Sequence, residues 1–305
     1  MMTENELMRD IFKEHIKEQR SKRRWGIFFK GAFLVYLGFL FFLAPDTGIS
    51  KLTKSSHVGL IDIQGVIAAD SPANAETVVQ GLRQAFEAEK AQAVLLRINS
   101  PGGSPVESGL IHDEIVRLRE KYPNKKVYAA VTDMAASGGY YIAVAADQIY
   151  ADKASIVGSI GVIAPVMGFT ELMNKIGVER RTLTSGKHKA MYDPTAPVKP
   201  EEQAWFQAIL DNVHQQFIAV VKSGRGDRLA KDPEIFSGLM WTGEQAVKIG
   251  VIDGLGSPGY VAREIIGNEV VIDYTPHPDF FEQIAHRFGI MAKNSMQSFL
   301  EVTLR

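Results

Sequence analysis

Two short apolar runs in this chain each end in a glycine turn that opens onto a helical pattern, and this pairing limits the possible folds more than any other feature. Ala93-Val94-Leu95-Leu96-Arg97-Ile98 runs into Asn99-Ser100-Pro101-Gly102-Gly103-Ser104, and Lys126-Val127-Tyr128-Ala129-Ala130-Val131 leads to Ala135-Ala136-Ser137-Gly138-Gly139. Apolar runs this short, bounded by turn residues, read as strands buried on both faces. Strand, turn and helix in succession predict an α/β fold with parallel strands, whose functional loops gather at the carboxyl ends of the strands. Residues 57–67 read as a strand pair or a bent strand, 75–90 and 105–121 as helices, and 148–151 and 156–163 as strands. Further on, the pattern predicts a short helix over 170–176, a strand over 179–184, a long amphipathic helix over 200–222 and a capped short helix within 241–253.

The second turn presents a lone hydroxyl, Ser137, among alanines and glycines. Small neighbours let a carbonyl approach the side chain, and glycines at the start of a helix leave backbone N–H groups free to face a reacting oxygen. A serine at this place could equally be an ordinary helix N-cap. To act as a nucleophile it needs a base, because a serine hydroxyl is inert near neutral pH.

Composition narrows the chemistry. The 305 residues include no cysteine, which removes disulfides, thiolate metal sites and a cysteine nucleophile together. None of the seven histidines has a partner at metal-ligand spacing, so neither a metal nor another cofactor is expected. A net charge of -1 gives no reason to expect a nucleic-acid partner. Residues 26–44 form an apolar, aromatic run with only Lys30 charged, long enough to span a bilayer as a helix. Lys17, Arg20, Lys22, Arg23 and Arg24 precede it, and the positive-inside bias then puts residues 1–25 in the cytoplasm and the rest of the chain outside. A cleaved signal peptide fits less well, since the charged leader is long and Leu43-Ala44-Pro45-Asp46 is a poor cleavage site. The expected organisation is a cytoplasmic segment 1–25, an anchor 26–44, a linker 45–56, a main α/β domain 57–275 and a tail 276–305.

Three motifs stand in order: Asn99-Ser100-Pro101-Gly102-Gly103, Ala135-Ala136-Ser137-Gly138-Gly139, and Ser185-Gly186-Lys187-His188-Lys189. Together they resemble the signal peptide peptidase A family of serine proteases, the S49 type, in its short single-repeat bacterial form. The likeness runs from about Val58 to Ile272. It implies a ClpP/crotonase-type fold, Ser137 as nucleophile, Lys189 rather than Lys187 as general base, and Ser159 as the residue that contacts that lysine. It also implies a membrane-attached homo-oligomeric ring that cleaves residual signal peptides and other hydrophobic or unfolded peptides near the membrane.

A lysine accepts a proton from serine only when neutral, so its pKa has to fall from about 10.4 towards about 7 to 8 by burial. The Ser159 hydroxyl can orient such an amine without adding a negative charge that would restore the proton. The N–H of Gly138, with one from Gly102 or Gly103, would face the oxyanion formed on attack. His188 is the rival base, because Ser-His-Asp triads are common, but consecutive residues of an extended loop point to different sides. Two other functions share parts of this pattern: an acyl-CoA enzyme of the crotonase class, and a catalytically idle membrane scaffold.

Overall fold

The structure, a computed structural model, describes residues 23–36 and 55–276. The chain divides after Lys54 into two units. In the first, residues 23–36 form an exposed helix. The remainder of the expected anchor, 37–44, lies outside the described residues, as do 1–22, 45–54 and the tail 277–305. Among the described residues no helix is long and apolar enough to cross a membrane.

The second unit is built on an eight-stranded, mostly parallel sheet. Its strands are β1 (His57–Gln64), β2 (Ala91–Ser100), β3 (Lys126–Ala136), β4 (Gln148–Ala151), β5 (Ile156–Gly158), β6 (Met240–Thr242), β7 (Gly254–Leu255) and β8 (Val271–Asp273). The main path runs β6-β5-β3-β2-β1-β8, with β4 paired to both β3 and β7, and only the β5–β6 pair is antiparallel. One face carries Ile61, Ile63, Val94, Leu96, Ile98, Val127, Ala129 and Val131, and the other Leu60, Leu95 and Ala130. Burial on both faces explains why these strands read as continuous apolar runs rather than alternating ones.

Three helices cover the first face: α1 (Ala75–Glu87), α2 (Pro105–Lys121) and α3 (Gly138–Ala143). They bury Val78, Leu82, Phe86, Ile111, Ile115, Leu118, Tyr140 and Ile142. Local chemistry sets their starts. The Asn74 side chain accepts from Thr77 N at 2.8 Å, and Ser104 caps α2 immediately ahead of Pro105. At the far end of α1, the Lys125 ammonium donates to the carbonyls of Ala85, Phe86 and Ala88, filling acceptors a helix terminus leaves open. Farther along the chain come α4 (Thr170–Lys175), α5 (Pro200–Arg225) and α6 (Gly243–Lys248), the last opened by a Thr242–Gln245 capping box.

The parallel α/β reading holds, and four element boundaries are corrected. β3 extends five residues beyond Val131, to Ala136, because it changes partner midway: Tyr128 to Val131 pair with β4, and Met134 to Ala136 pair with β5. β5 stops at Gly158 instead of continuing to Ile163, since Gly158 and Ser159 both take positive φ, +102° and +52°, which ends a strand. No strand forms over 179–184; those residues are exposed and lie against no neighbouring strand. Finally, α5 continues to Arg225, where Gly226 at φ +55° stops it. Arg225, 1% exposed, donates to both Asp253 carboxylate oxygens at 2.7 and 3.1 Å and so ties the helix to the start of β7.

Candidate active site

Ser137 follows the last residue of β3 and takes φ +51°, ψ −121°. For a residue with a Cβ this region costs on the order of 1–3 kcal/mol and persists only where the surroundings impose it. They do so here: Ser137 N donates to Gly158 O at 2.8 Å, and Ser137 O accepts from Tyr141 N at 2.9 Å. The side chain makes no capping hydrogen bond, so the N-cap alternative fails and the hydroxyl is left for other work. Ser137 follows the place where β2 and β5, the strands on either side of the end of β3, also stop.

The two glycine turns meet at this serine. A Cβ built on Gly102 would stand 2.7 Å from Ser137 Cβ and 2.7 Å from Gly138 N, so only glycine fits. One built on Gly138 would strike Ser108 Oγ and reach within 3.3 Å of Gly103 N. Gly102 O accepts from Ile67 N, and Ser104 N donates to Ile67 O, which fixes the Gly102-Gly103 backbone in a single β-bridge. Gly102 N is engaged by Ser100 Oγ at 3.1 Å. Among the described residues, neither Gly103 N nor Gly138 N donates a hydrogen bond. Of the two turn glycines left open as donors, Gly103 is therefore the one with a free N–H beside Ser137.

Ser137, Gly138, Gly103 and Ser159 all line a single cavity of about 650 Å³. The sheet brings Ser159 there: β5 pairs with the end of β3, so the residue after Gly158 falls beside the residue after Ala136. Tyr141, Val213, His214 and Phe217 form another part of the wall, and among the described residues no carboxylate, lysine or arginine lines the cavity. The Tyr141 and Phe217 rings lie 5.0 Å apart. Burial, with a contribution from Asp113, pushes the Tyr141 hydroxyl above its usual pKa and keeps it protonated. His214, Tyr141 and Phe217 are the site residues that sequence reasoning passed over. Three helical side chains on buried faces look the same in sequence whether they bound a core or a cavity.

Lys189 is placed elsewhere. It and His188 are exposed, and neither lines the cavity that holds Ser137. Lys189 sits in a turn, with its N–H donating to Gly186 O at 3.1 Å, on an arm spanning residues 162–199. The arm has its own clasp. Arg180 donates to Asp193 at 3.0 Å, Thr195 donates to the same carboxylate, and the Tyr192 and Phe206 rings lie 4.8 Å apart. Those Thr195 hydrogen bonds, aided by Arg180, hold the Asp193 carboxyl below the usual range. Large apolar side chains stand open along the arm, including Ile163 at 88%, Met167 at 75% and Leu183 at 100% exposure. Among the described residues no cluster of side chains could hold a metal ion.

A strained serine at a strand-to-helix turn, two unengaged amides beside it and a cavity that brings them together have the form of a serine peptidase site. The comparisons supply the family. Residues 119–266 match peptidase family S49. The candidate protease slr0021 of Synechocystis sp. is 35% identical over 207 residues, covering 68% of this chain and 72% of that protein. The serine protease SPPA of Arabidopsis thaliana chloroplasts is 36% identical over 183 residues, 60% of this chain and 27% of that protein. A Brucella abortus protein named Na(+)/H(+) antiporter NhaA is 48% identical over 189 residues, 62% of this chain, and the chain spans only 26% of its length. The chain belongs to peptidase family S49.

Proposed function

We propose that this protein is a membrane-anchored serine endopeptidase of ClpP/crotonase-type fold. It cleaves residual signal peptides and other hydrophobic or unfolded peptides on the outer side of the cytoplasmic membrane, with Ser137 as nucleophile and Lys189 as base. The observation that carries this reading is the conformation of Ser137: a positive-φ serine beside Gly102, Gly103 and Gly138, at the wall of a cavity that no carboxylate, lysine or arginine lines among the described residues.

In the reaction, neutral Lys189 takes the proton from Ser137 Oγ, and Oγ bonds to the scissile carbonyl carbon. The carbonyl oxygen becomes an oxyanion facing Gly138 N–H and Gly103 N–H, worth about 3 to 4 kcal/mol for each donor. Collapse breaks the C–N bond as Lys189 gives its proton to the leaving amine. Water, deprotonated by Lys189, then adds its oxygen to the acyl carbon, the bond from that carbon to Oγ breaks, and Lys189 returns its proton to Ser137 Oγ. Ser159 accepts from or donates to the amine throughout, and no carboxylate in the cavity restores its charge.

The exposed position of Lys189 fits an assembly in which the arm of one copy reaches the Ser137 cavity of the next. Apolar side chains as open as Leu183 and Ile163 gain by being covered, and the same contact removes Lys189 from water. Such a contact repeated around an axis closes a ring. Support for the membrane comes from the charge asymmetry around 26–44.

Turnover of fluorogenic peptides by the full chain in detergent tests the reading. Ser137→Ala and Lys189→Ala each abolish cleavage and fluorophosphonate labelling of Ser137, while His188→Ala retains both. Activity that survives Lys189→Ala and is lost in His188→Ala removes the dyad.

A further inference from the structure

We propose that His214 is a positioning residue for this reaction: through the Ile160 carbonyl it holds the Ser159 turn in the conformation that lets Ser159 orient the base. The inference rests on the serine–lysine reading above.

His214 lies on α5, half-buried, with Nε2 3.0 Å from Ile160 O. A carbonyl only accepts, so Nε2 carries the proton. Ile160 is fully buried and follows Ser159, so this hydrogen bond acts directly on the turn that points Ser159 into the cavity. That turn is strained. Gly158 and Ser159 take positive φ in succession, and for a serine the left-handed region is disfavoured unless something over-determines it.

Four hydrogen bonds do so: Ser137 N to Gly158 O at 2.8 Å, Ser159 N to Leu239 O at 2.7 Å, Gly161 N to Ser159 O at 2.9 Å, and His214 to Ile160 O. The first three are backbone to backbone and would form with almost any side chains. Only the fourth depends on residue identity. It also comes from the helix that supplies Val213 and Phe217 to the opposite wall, so one side chain sets the spacing between the Ser159 turn and α5.

The experiment compares kcat and KM on a fluorogenic peptide for His214→Gln, His214→Asn and His214→Phe in the full chain, with thermal melts. A glutamine amide reaches the place of Nε2, whereas an asparagine amide ends near Nδ1, short of Ile160. Gln should keep kcat within about fivefold of the parent, while Asn and Phe lower kcat by about tenfold to a hundredfold with KM little changed, as expected for a misplaced base. Adding Ser159→Ala to His214→Asn should cost little beyond the larger single loss, because both act through one hydroxyl.

Should the Phe variant not fold, the Gln and Asn pair decides alone. Equal kcat in Gln, Asn and parent, losses confined to KM, or full additivity with Ser159→Ala overturns the proposal. Turnover that persists in Ser137→Ala or Lys189→Ala instead sinks the dyad reading itself. If both of those abolish turnover while the His214 variants match the parent, only the role of His214 falls.

Discussion

Gly102 lies against Ser137 so closely that a methyl group on the glycine would stand 2.7 Å from the serine Cβ. Real Cβ atoms never come that near, and Gly102 also holds φ +98°, so the two residues are matched by both sterics and backbone. Gly102→Ala must push the turn off Ser137 and Gly138 N. The expected result is loss of turnover by about a hundredfold or more with a lowered melting temperature, read from peptide hydrolysis and thermal denaturation. Parent-like hydrolysis would show that the turn can move without cost.

Strain at Ser137 predicts a stability difference between two inactive variants. Glycine adopts φ +51° freely and alanine does not, so Ser137→Gly should exceed Ser137→Ala in stability by about 1 kcal/mol despite the greater flexibility of glycine in the unfolded chain. Urea denaturation of the two variants measures it, and a more stable alanine variant would argue that the turn is relaxed.

Acid stability should depend in part on Glu114. Arg117 Nε and Nη2 and Arg83 Nε each donate to it at 2.7 Å, linking α1 to α2. The Arg117 hydrogen bonds, with help from Arg83 and against the effect of burial, lower its carboxyl from 4.5 to about 2. The folded state therefore binds fewer protons than the unfolded one across this window. The contribution is fully present above about pH 4.5 and fades as pH falls towards about 2. Glu114→Gln should remove that slope from a plot of unfolding free energy against pH, and identical slopes would refute the assignment.

Arg225 and Asp253 form a pair in which the arginine is 1% exposed. Burial would raise the Asp253 carboxyl, but hydrogen bonds from Arg225 and Ile149 N bring it below the ordinary value. Arg225→Met strands a carboxylate beside Ile149 and should cost about 3–5 kcal/mol in denaturant titration. A loss well under 1 kcal/mol would mean that water or Arg228 takes over.

The arm offers a test of assembly. Leu183 is fully exposed in the single chain, so Leu183→Glu should leave the melting of the isolated unit nearly unchanged, within about 0.5 kcal/mol. If the arm is the contact between copies, sedimentation should shift to smaller species and peptide turnover should fall with it. Unaltered sedimentation together with full turnover would place the contact elsewhere.

Much of the fold was legible because it is written locally. The apolar runs of β2 and β3, the capped helix opened by Thr242, and the glycine turns follow from neighbours a few residues apart. Two of the misjudged elements depend on a distant partner. β3 runs past Val131 because β5 continues the ladder, and the 179–184 run forms no strand because nothing pairs with it. Length and apolar content alone do not reveal whether a strand has a neighbour.

The sequence by itself determined the turn that carries Ser137: Ala136 before it and Gly138 after it are contiguous with it, and the sterics of small residues act over one or two bonds. Only the tertiary structure decided that Gly102 presses on Ser137, that Ser159 shares its cavity, that His214 braces the Ser159 turn, and that Lys189 stands outside on the arm. These relations join residues 22 to 55 positions apart. They are fixed by the exchange of β3 from one partner strand to another and by α5 packing across the opening, and neither leaves a periodic trace in the chain.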